Sequence, residues 1–396
     1  QAAFIRLPEN QMKIREWLGE ISYTLQQGSL DAEVTEVVYD SRKAGPGAVF
    51  ICMKGTRRDS HDFIPQVTEA GVRVLVTEHP VEVPAQVTVI VVKNGREALA
   101  RLSAARFGNP SRKLLMIGVT GTKGKTTTTH MVKTILEAAG KKTGMIGTNG
   151  VMIGTDHYPT VNTTPESYDL HRYFAQMAEA GCECCVMEVS SQAMKMHRVT
   201  GIVFDCAVFT NISPDHIGPD EHADFAEYLF YKKQLFFQSR KAFINLDDEH
   251  FQEIVQEIPC PWTGFGLMEN QEKCPRTGDT LEKNHTGSDY LAEHIEYVSE
   301  PDFVGTGFDI RGEREIPVRV SIPGKFNVYN ALAAAAVTLW CGVPQERLQH
   351  AMEHLKINGR MEIVHTSRRC CVIVDYAHNA VSMESLLSTL RDYHPK

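Results

Sequence analysis

The segment Gly118–His130 constrains the fold more than any other part of the chain. It reads GVTGTKGKTTTTH and follows the apolar run Leu114–Ile117, which predicts a buried strand. Residues Met131–Ala139 are apolar at helical spacing and Gly140 follows them, so a helix is expected after the turn. A strand, a glycine-rich turn and a helix in this order form a phosphate site, because backbone N–H groups and the helix N-terminus face the anionic oxygens.

The lysine and threonine side chains of this turn carry the expected chemistry. Lys125 is placed to reach the terminal phosphates of a nucleotide, and Thr126 can ligate Mg²⁺. The strict eight-residue template has glycine where this chain has Val119, so a plain strand–turn–helix with a solvent-facing lysine is the alternative. The context favours a nucleoside triphosphate as the ligand. The turn residues that we predict to bind it are Gly121, Thr122, Lys123, Gly124, Lys125, Thr126 and Thr127.

The length and net charge of the chain limit the number of domains and the kinds of partner that are expected. A chain of 396 residues can form two or three domains with separate cores. Its formal net charge of −8 argues against a nucleic-acid groove or an anionic membrane surface as the main partner. No apolar run approaches the roughly 20 residues of a membrane span. We therefore expect a cytoplasmic protein without a nucleic-acid partner, and we expect a monomer.

Ten cysteines without paired, repeated spacing indicate reduced thiols. The cluster Cys182–Cys185 suggests a metal site, but it opens an apolar run and no second Cys/His pair stands at a matching distance. Burial in the core is the better interpretation, and the same expectation applies to Cys370 and Cys371.

The order of predicted elements indicates an α/β fold with several domains. The first hundred residues contain short strands with helices between some of them, and the middle alternates strands and helices, as a mostly parallel sheet requires. The polar stretch Glu269–Gly287 predicts a loop. After it we expect a hairpin, a helix from about Val328 to Trp340, and a further unit made of one strand, Cys371–Asp375, and one helix, Ser382–Tyr393. The other predicted strands are Thr35–Tyr39, Ala48–Met53, Val72–Thr77, Gln86–Val92, Leu114–Val119, Cys184–Val189, Cys206–Thr210, Ala242–Asn245, Gly307–Arg311 and Ile316–Ile322.

Polar residues follow two strands of the middle region. Glu188 interrupts the apolar strand that ends in Met187–Ser191, and His216 ends the segment Phe209–His216. Ligands bind at the carboxyl ends of strands in open α/β sheets, so both side chains are expected at the rim that holds the phosphate turn. Taken singly, Glu188 could be a solvated strand end and His216 a turn residue. Together they predict a second Mg²⁺ site.

The helical stretch Phe225–Phe236 places a lysine on its apolar face. The spacing of its aromatic and aliphatic residues puts Lys232 on the buried stripe and Lys233 off it. A buried lysine requires a partner or a chemical reason. The alternative is that the stem of Lys232 packs while its amine reaches solvent.

A longer series of motifs runs from one end of the chain to the other. Besides those above, it includes Tyr39–Arg42, Asn162–Pro165, His197–Arg198, Gly324–Ala331, Gly359–Glu362 and Asp375–His378. In this order the motifs resemble those of the Mur ligases. Within that family they resemble the branch that adds a diamino acid to UDP-N-acetylmuramoyl-L-alanyl-D-glutamate (UDP-MurNAc-L-Ala-D-Glu) in peptidoglycan synthesis. The sequence from Asp215 to His222 is similar to that of family members from low-GC Gram-positive bacteria.

The resemblance implies three α/β domains. They are a small amino-terminal domain for the uridine nucleotide (residues 1–110), a central P-loop-type ATPase domain with a mostly parallel sheet (111–357), and the start of a Rossmann-like carboxyl-terminal domain (358–396) whose remainder is expected beyond this sequence. It also implies ATP-dependent amide formation. The γ-carboxylate of D-Glu attacks the γ-phosphate of ATP, and the amine of the diamino acid then displaces phosphate from the acyl phosphate. Mg²⁺ and lysine charge would offset the repulsion between carboxylate and triphosphate.

The resemblance also implies residue roles. Lys125 would contact the β- and γ-phosphates, Thr126 the first Mg²⁺, and Glu188 and His216 the second. Lys232 matches a carbamylated lysine of the family, whose new carboxylate binds Mg²⁺. The positions that match nucleotide contacts are Asn327, Asn330, Arg360 and Asp375. Those that match contacts to the UDP substrate are Tyr39 and Ser41 for the uridine nucleotide, and Asn162, Thr163, Thr164, Ser190 and Arg198 for the muramoyl-peptide part.

Several alternatives stay open at this point. Lys123 stands where many family members have Asn, and Met196 stands where some have a polar residue. The family's signature for the incoming amino acid lies outside this sequence, so L-lysine and meso-diaminopimelate are both candidates. The similarity to Gram-positive members favours lysine. Another Mur or folylpolyglutamate-type ligase, a regulatory NTPase and a non-catalytic fragment that binds a UDP-sugar are the competing hypotheses. No Asn is followed by Lys, so the guanine-selecting Asn-Lys-x-Asp motif of a regulatory GTPase is absent.

Overall fold

The computed structural model describes residues 11–55, 58–219, 221–273, 284–367, 370–377 and 380–393. His378 and residues 274–283 of the predicted polar loop lie outside these ranges. The described residues form a five-stranded sheet, an eleven-stranded sheet and two small two-stranded sheets. None of the helices in these ranges has the length and apolar character that a membrane crossing requires.

The amino-terminal unit is a five-stranded sheet covered by helices on both faces. Its strand order is β2-β7-β6-β5-β4, parallel except for the β2–β7 pair. Buried side chains of α1 and α3 pack on one face, and those of α2 pack on the other. The elements are β1 (Met12–Lys13), α1 (Ile14–Leu18), β2 (Tyr23–Gln27), β3 (Glu33–Val34), β4 (Glu36–Val38), β5 (Ala48–Ile51), α2 (Ile64–Glu69), β6 (Val74–Thr77), β7 (Thr88–Val92) and α3 (Gly95–Arg106).

The central unit is built on the large sheet. Its order is β11-β10-β9-β12-β8-β13-β14-β15-β16-β17-β18, in which the run from β9 to β16 is parallel and antiparallel strands extend both edges. The strands are β8 (Leu115–Thr120), β9 (Thr143–Gly147), β10 (Gly150–Ile153), β11 (Asp156–Tyr158), β12 (Cys184–Glu188), β13 (Cys206–Phe209), β14 (Ala242–Asn245), β15 (Trp262–Leu267), β16 (Tyr290–Glu300), β17 (Phe303–Arg311) and β18 (Glu315–Val320).

Two separate cores sandwich this sheet. Buried residues of α4, α10 and α11 form one core, and those of α5, α7 and α8 form the other. β8 lies between β12 and β13, so the turn that follows it is at the centre of the carboxyl edge. The helices are α4 (Lys125–Ala138), α5 (Ser167–Glu179), α6 (Ser191–Lys195), α7 (Phe225–Phe237), α8 (Phe251–Glu257), α9 (Met268–Lys273), α10 (Lys325–Trp340) and α11 (Gln345–Glu353).

The last described residues form a small carboxyl-terminal unit. It consists of an antiparallel pair, β19 (Glu362–Thr366) and β20 (Cys371–Val374), and the helix α12 (Ala380–Arg391). Just after α12, the hydroxyl of Tyr393 donates to the carbonyl of Gly305 at 3.0 Å and accepts from the N–H of Gly324 at 3.2 Å. The unit is therefore attached to the loop that precedes α10.

The structure corrects three expectations. The start of the polar loop, Met268–Lys273, is helical, because this run consists mostly of good helix formers and Glu269 is ion-paired with Lys325. Lys233 is buried rather than off the apolar face, since α8 covers it and supplies Glu253 and Glu257 as partners. Cys370 and Cys371 are exposed, whereas Cys182, Cys184 and Cys185 are buried as predicted.

The predicted strands of the first two units and the helix before Trp340 are present, with ends shifted by a few residues. The fold class is confirmed. The domain boundaries at residues 110 and 357 stay predictions.

Candidate active site

The turn between β8 and α4 has the shape of a phosphate cradle. Gly121 and Gly124 have φ values of +147° and +85°, which side chains other than hydrogen rarely allow. A Cβ atom at Gly121 would lie 1.9 Å from Oγ1 of Thr210, and one at Gly124 would lie 2.4 Å from Oδ1 of Asn330. The turn is therefore in close contact with Thr210, just after β13, and with Asn330 of α10, and both positions require glycine.

Replacing Gly121 by alanine is expected to lower the free energy of unfolding by about 2 kcal/mol or more, because the new methyl group overlaps Thr210 and the backbone disfavours a Cβ. Chemical denaturation measures this change. The matched control is Gly140→Ala at the end of α4, where φ is also positive but no atom lies within 4 Å of the added Cβ. An equal loss in both variants would show that backbone strain alone is responsible and that the close packing is unimportant.

Lys125 lies inside the turn. Its Nζ donates to the carbonyls of Gly121 at 2.8 Å and Thr122 at 3.0 Å. Burial lowers the pKa of Lys125, while the carboxylates of Glu188 and Asp215 act to raise it. The amine is thus held where the oxygens of a terminal phosphate would approach.

A cavity of about 810 Å³ opens over this turn. It is bounded by the carboxyl ends of the central strands, by α10 and by the start of the carboxyl-terminal unit. The predicted residues that line it are Thr122, Lys123, Gly124, Lys125, Thr126, Thr127, Thr163, Glu188, His216, Asn327, Asn330, Arg360 and Asp375. The other lining residues, to which no role was assigned from the sequence, are Thr148, Thr210, Asn211, Asp215, Asn245, Asp247, Asp248, Phe265, Phe326, Tyr329, Met361, Tyr376 and Leu386.

Glu188 is a buried carboxylate at the end of β12, with 1 % of its surface exposed. Its Oε1 accepts from Oγ1 of Thr126 at 3.0 Å and from the N–H of Thr148 at 2.8 Å, and its Oε2 accepts from Oγ1 of Thr148 at 3.2 Å. These three donors are neutral groups. A buried carboxylate beside a threonine hydroxyl is the kind of oxygen set that suits Mg²⁺.

Lys232 on α7 points its amine at the same turn from the other side of the sheet. Only 2 % of its surface is exposed, so the alternative in which the amine reaches solvent is excluded. Its Nζ donates to the carbonyl of Gly121 at 2.8 Å and lies 4.4 Å from the ring centroid of Tyr228. Burial lowers the pKa of Lys232 well below its usual range, and nearby Lys125 lowers it further.

His216 lies on the exposed side of this group. About half of its side chain is exposed, and its Nδ1 is 2.7 Å from Oε1 of Glu221. Its ring centroid lies 6.1 Å from that of Tyr228, whose hydroxyl is 3.0 Å from Oγ1 of Thr122. Glu188, His216 and Lys232 thus lie around one turn, although no hydrogen bond joins any two of them directly.

The predicted nucleotide residues form two groups beyond the turn. Asn327 and Asn330 are buried on the first turns of α10, where Nδ2 of Asn330 donates to Oδ1 of Asn327 at 3.0 Å. Arg360 and Asp375 come from the carboxyl-terminal unit, and Oδ2 of Asp375 accepts from the N–H of Met361 at 2.8 Å. Both groups border the cavity.

Four predicted contacts to the muramoyl-peptide part form one cluster beside the cavity. Oγ1 of Thr164 accepts from the N–H of Ser190 at 3.2 Å and donates to the carbonyl of Glu188 at 2.9 Å. Arg198 donates to the carbonyl of Thr164 at 3.1 Å, and Oγ1 of Thr163 is 3.1 Å from that of Thr148. Asn162 is exposed next to this cluster.

Tyr39 and Ser41 do not line the cavity. They follow β4 in the amino-terminal unit, where Ser41 begins a short 3₁₀ turn and the side chain of Asp40 caps it. The ring centroid of Tyr39 lies 6.3 Å from that of Tyr168 on α5, and burial raises the pKa of Tyr39. Any ligand that contacts both these residues and the cavity has to extend across the two units.

Three family descriptions match this chain in order. "Mur ligase family, catalytic domain" matches residues 33–107, "Mur ligase middle domain" matches 119–338, and "Mur ligase, glutamate ligase domain" matches 359–396. The chain belongs to the Mur ligase family. The turn and the cavity described above are therefore features of a Mur ligase.

Similar Mur ligases are found among low-GC Gram-positive bacteria. The chain is 38 % identical over 388 residues to a UDP-N-acetylmuramoyl-L-alanyl-D-glutamate–2,6-diaminopimelate ligase of Clostridium acetobutylicum, an alignment that covers 96 % of this chain and 75 % of the relative. It is also 38 % identical over 372 residues to the enzyme of that name from Bacillus cereus, covering 91 % of this chain and 71 % of the relative. Among solved structures, one of that same ligase name superimposes with a TM-score of 0.79 at 23 % identity, covering 97 % of this chain and 74 % of the other.

Proposed function

We propose that this protein joins a diamino acid to UDP-MurNAc-L-Ala-D-Glu, using ATP, as a cytoplasmic step of peptidoglycan precursor synthesis. The observation that carries the proposal is the convergence of Lys125, Glu188 and Lys232 on one phosphate turn beneath a large cavity. Relatives at 38 % identity bear the name of such a ligase. Their names specify 2,6-diaminopimelate. We therefore propose diaminopimelate as the amino acid that is added, rather than the lysine expected from the sequence.

The residues suit formation and breakdown of an acyl phosphate. The carboxylate of D-Glu and the γ-phosphate of ATP are both anions, so their approach requires positive charge at the turn. Lys125 supplies one such charge inside the turn, and the exposed Lys123 supplies another at its edge. Phosphorylation turns a carboxylate oxygen into a good leaving group. The amine of the diamino acid can then attack the carbonyl carbon and release phosphate.

Mg²⁺ fits the oxygen ligands at this site. Thr126 would hold one ion, and Glu188, His216 and a carbamylated Lys232 would hold the second. The metal would supply charge that draws the phosphate and the carboxylate together. The observation that supports this assignment is the buried Glu188 carboxylate, which accepts hydrogen bonds from neutral groups at Thr126 and Thr148.

The burial of the Lys232 amine supports carbamylation at this position. Only a neutral amine can attack CO₂, and burial lowers the pKa of Lys232 well below that of an ordinary lysine. The nitrogen lone pair forms an N–C bond while one C=O π bond of CO₂ opens, and loss of the N–H proton leaves a carboxylate in place of the neutral amine. The new anion would lie close to Lys125, whose positive charge would stabilise it.

The same proposal gives each part of the chain a binding role. Residues 1–110 would hold the uridine nucleotide through Tyr39 and Ser41, residues 111–357 would bind ATP, and residues 358–396 would contribute Arg360 and Asp375. The three family matches fall within these ranges and support the division. Thr163, Thr164, Ser190 and Arg198 would contact the muramoyl-peptide part.

The test is phosphate release from ATP in the presence of Mg²⁺ and candidate acceptors. We expect release to depend on UDP-MurNAc-L-Ala-D-Glu together with diaminopimelate, with L-lysine a poorer amine donor. Folate replaces the UDP substrate in the control reaction. Turnover with folate, or equal release without any acceptor, would overturn the ligase proposal in favour of a folate-type enzyme or a plain NTPase. Binding of the UDP substrate without ATP turnover would identify a non-catalytic fragment.

A further inference from the structure

His197 has an uncommon backbone conformation at the end of α6. Its φ is +55°, in the left-handed region that favours glycine. The N–H of Arg198 donates to the carbonyl of Ala193 at 2.9 Å, and the N–H of His197 donates to that of Met194 at 3.1 Å. This closure of a helix usually has glycine at the left-handed position. A histidine that tolerates the strain points to a use for its side chain.

The imidazole of His197 joins the central unit to the amino-terminal unit. Its Nε2 lies 3.2 Å from Nδ2 of Asn94, and its Nδ1 lies 3.1 Å from Oγ1 of Thr200. Asn94 caps α3, because its Oδ1 accepts from the N–H groups of Arg96 and Glu97. The cap fixes the orientation of the amide, so Nδ2 is the donor that faces His197.

These two contacts determine which nitrogen of the imidazole carries the hydrogen. Nε2 of His197 accepts from Asn94, and Nδ1–H donates to Thr200. The ring must be neutral to do both. Burial lowers the pKa of His197, and Arg96 lowers it further against the opposing effect of Glu97, which agrees with a neutral ring.

The position of His197 relates this contact to the proposed substrate. Arg198, the next residue, holds Glu166 at 2.8 Å and the carbonyl of Thr164 at 3.1 Å, within the cluster proposed for the muramoyl-peptide part. Asn94 belongs to the unit that carries Tyr39 and Ser41. A substrate that spans both units is sensitive to the separation between them.

We propose that His197 is a positioning residue that fixes the separation between the uridine subsite and the muramoyl-peptide subsite through its hydrogen bond to Asn94. The inference rests on the proposed function, since it needs one substrate to contact both units. His197 then acts on the affinity for the whole UDP substrate and has no part in binding ATP or UDP alone.

The central variant is His197→Gly, which removes the imidazole and also relieves the backbone strain. We expect its thermal stability to be at least that of the unaltered protein. We expect its Kd and KM for UDP-MurNAc-L-Ala-D-Glu to rise about fivefold, the usual value of one hydrogen bond. Its kcat, its KM for ATP and its affinity for UDP alone should stay unchanged. Calorimetry and steady-state kinetics give these quantities.

Further variants separate the hydrogen bond from general damage. His197→Gln keeps an acceptor near the position of Nε2 and should restore most of the affinity. Asn94→Ser keeps the capping oxygen but loses the amide donor, so it should match His197→Gly, and the double variant should add nothing. The control is His294→Gly on β16, another left-handed histidine (φ +52°), which should leave Kd unchanged.

The outcomes are distinguishable. Unchanged affinity for the whole substrate in His197→Gly, or an equal loss of affinity for UDP alone, would overturn the positioning role. A lower thermal stability together with a fall in kcat would mean that His197 serves the fold. If the unaltered protein neither binds nor uses UDP-MurNAc-L-Ala-D-Glu, the proposed function fails and the inference falls with it.

Discussion

Replacing Lys125 by methionine is expected to lower ATP-dependent turnover by about 10²–10³-fold, because its amine is held inside the phosphate turn by two backbone carbonyls, where it can offset phosphate charge. Methionine keeps the apolar stem and removes the charge. Phosphate release and nucleotide binding measure the effect.

Two other lysines serve as controls for Lys125. Lys141 lies just beyond the far end of α4, and its replacement by methionine should change neither turnover nor ATP binding. Lys123 is exposed at the edge of the turn, so Lys123→Met should cost much less than Lys125→Met. Unchanged ATP hydrolysis in Lys125→Met would show that the phosphate cradle is elsewhere.

Replacing Lys232 by alanine should abolish ligase activity, with a loss of at least about 10²-fold, since it removes both the buried amine and the carboxylate that carbamylation would create. Acetate or formate added to the Lys232→Ala variant should restore part of the activity, because a small carboxylate can occupy the space of the carbamate. A second measurement detects the carbamate directly and does not depend on enzyme activity. The unaltered protein kept in ¹³C-bicarbonate should show a carbamate carbon by NMR that is missing in the variant.

The neighbouring Lys233 is the matched control for Lys232. It is buried on the same helix, but its amine is ion-paired with Glu253 at 3.1 Å and Glu257 at 2.8 Å. Lys233→Ala should lower stability by about 1 kcal/mol or less, since both carboxylates are half-exposed, and should not respond to added carboxylates. Activity of Lys232→Ala close to that of the unaltered protein, or rescue of both variants alike, would refute the carbamate.

The parts of the site that sequence predicts well are those set by local patterns. The turn after β8 and the glutamate at the end of β12 each follow an apolar strand, and parallel strands bring their carboxyl ends to one edge. Helical spacing correctly predicts that Lys232 is buried, but it wrongly places Lys233 off the buried face, because the acidic residues that pair with Lys233 come from α8. Periodicity within one helix does not report what a later helix places over it.

The residues that sequence reasoning missed come from contacts between distant segments. Asp247 follows β14, and its Oδ2 accepts from the hydroxyl of Tyr329 on α10 at 2.9 Å. Thr148 lies in the tight turn between β9 and β10 and reaches Glu188. The acidic pair Asp247–Asp248 after an apolar strand was a usable signal, since polar residues at strand ends had already identified Glu188 and His216.

The hydroxyl of Tyr393 links the carboxyl-terminal unit to the start of α10. Its hydroxyl accepts from the N–H of Gly324, which immediately precedes the helix that bears Asn327 and Asn330. A swing of the carboxyl-terminal unit cannot leave that hydrogen bond undisturbed. If Asn327 and Asn330 contact the nucleotide as proposed, nucleotide binding and the position of the carboxyl-terminal unit would therefore influence each other, and thermodynamic linkage makes that influence equal in both directions.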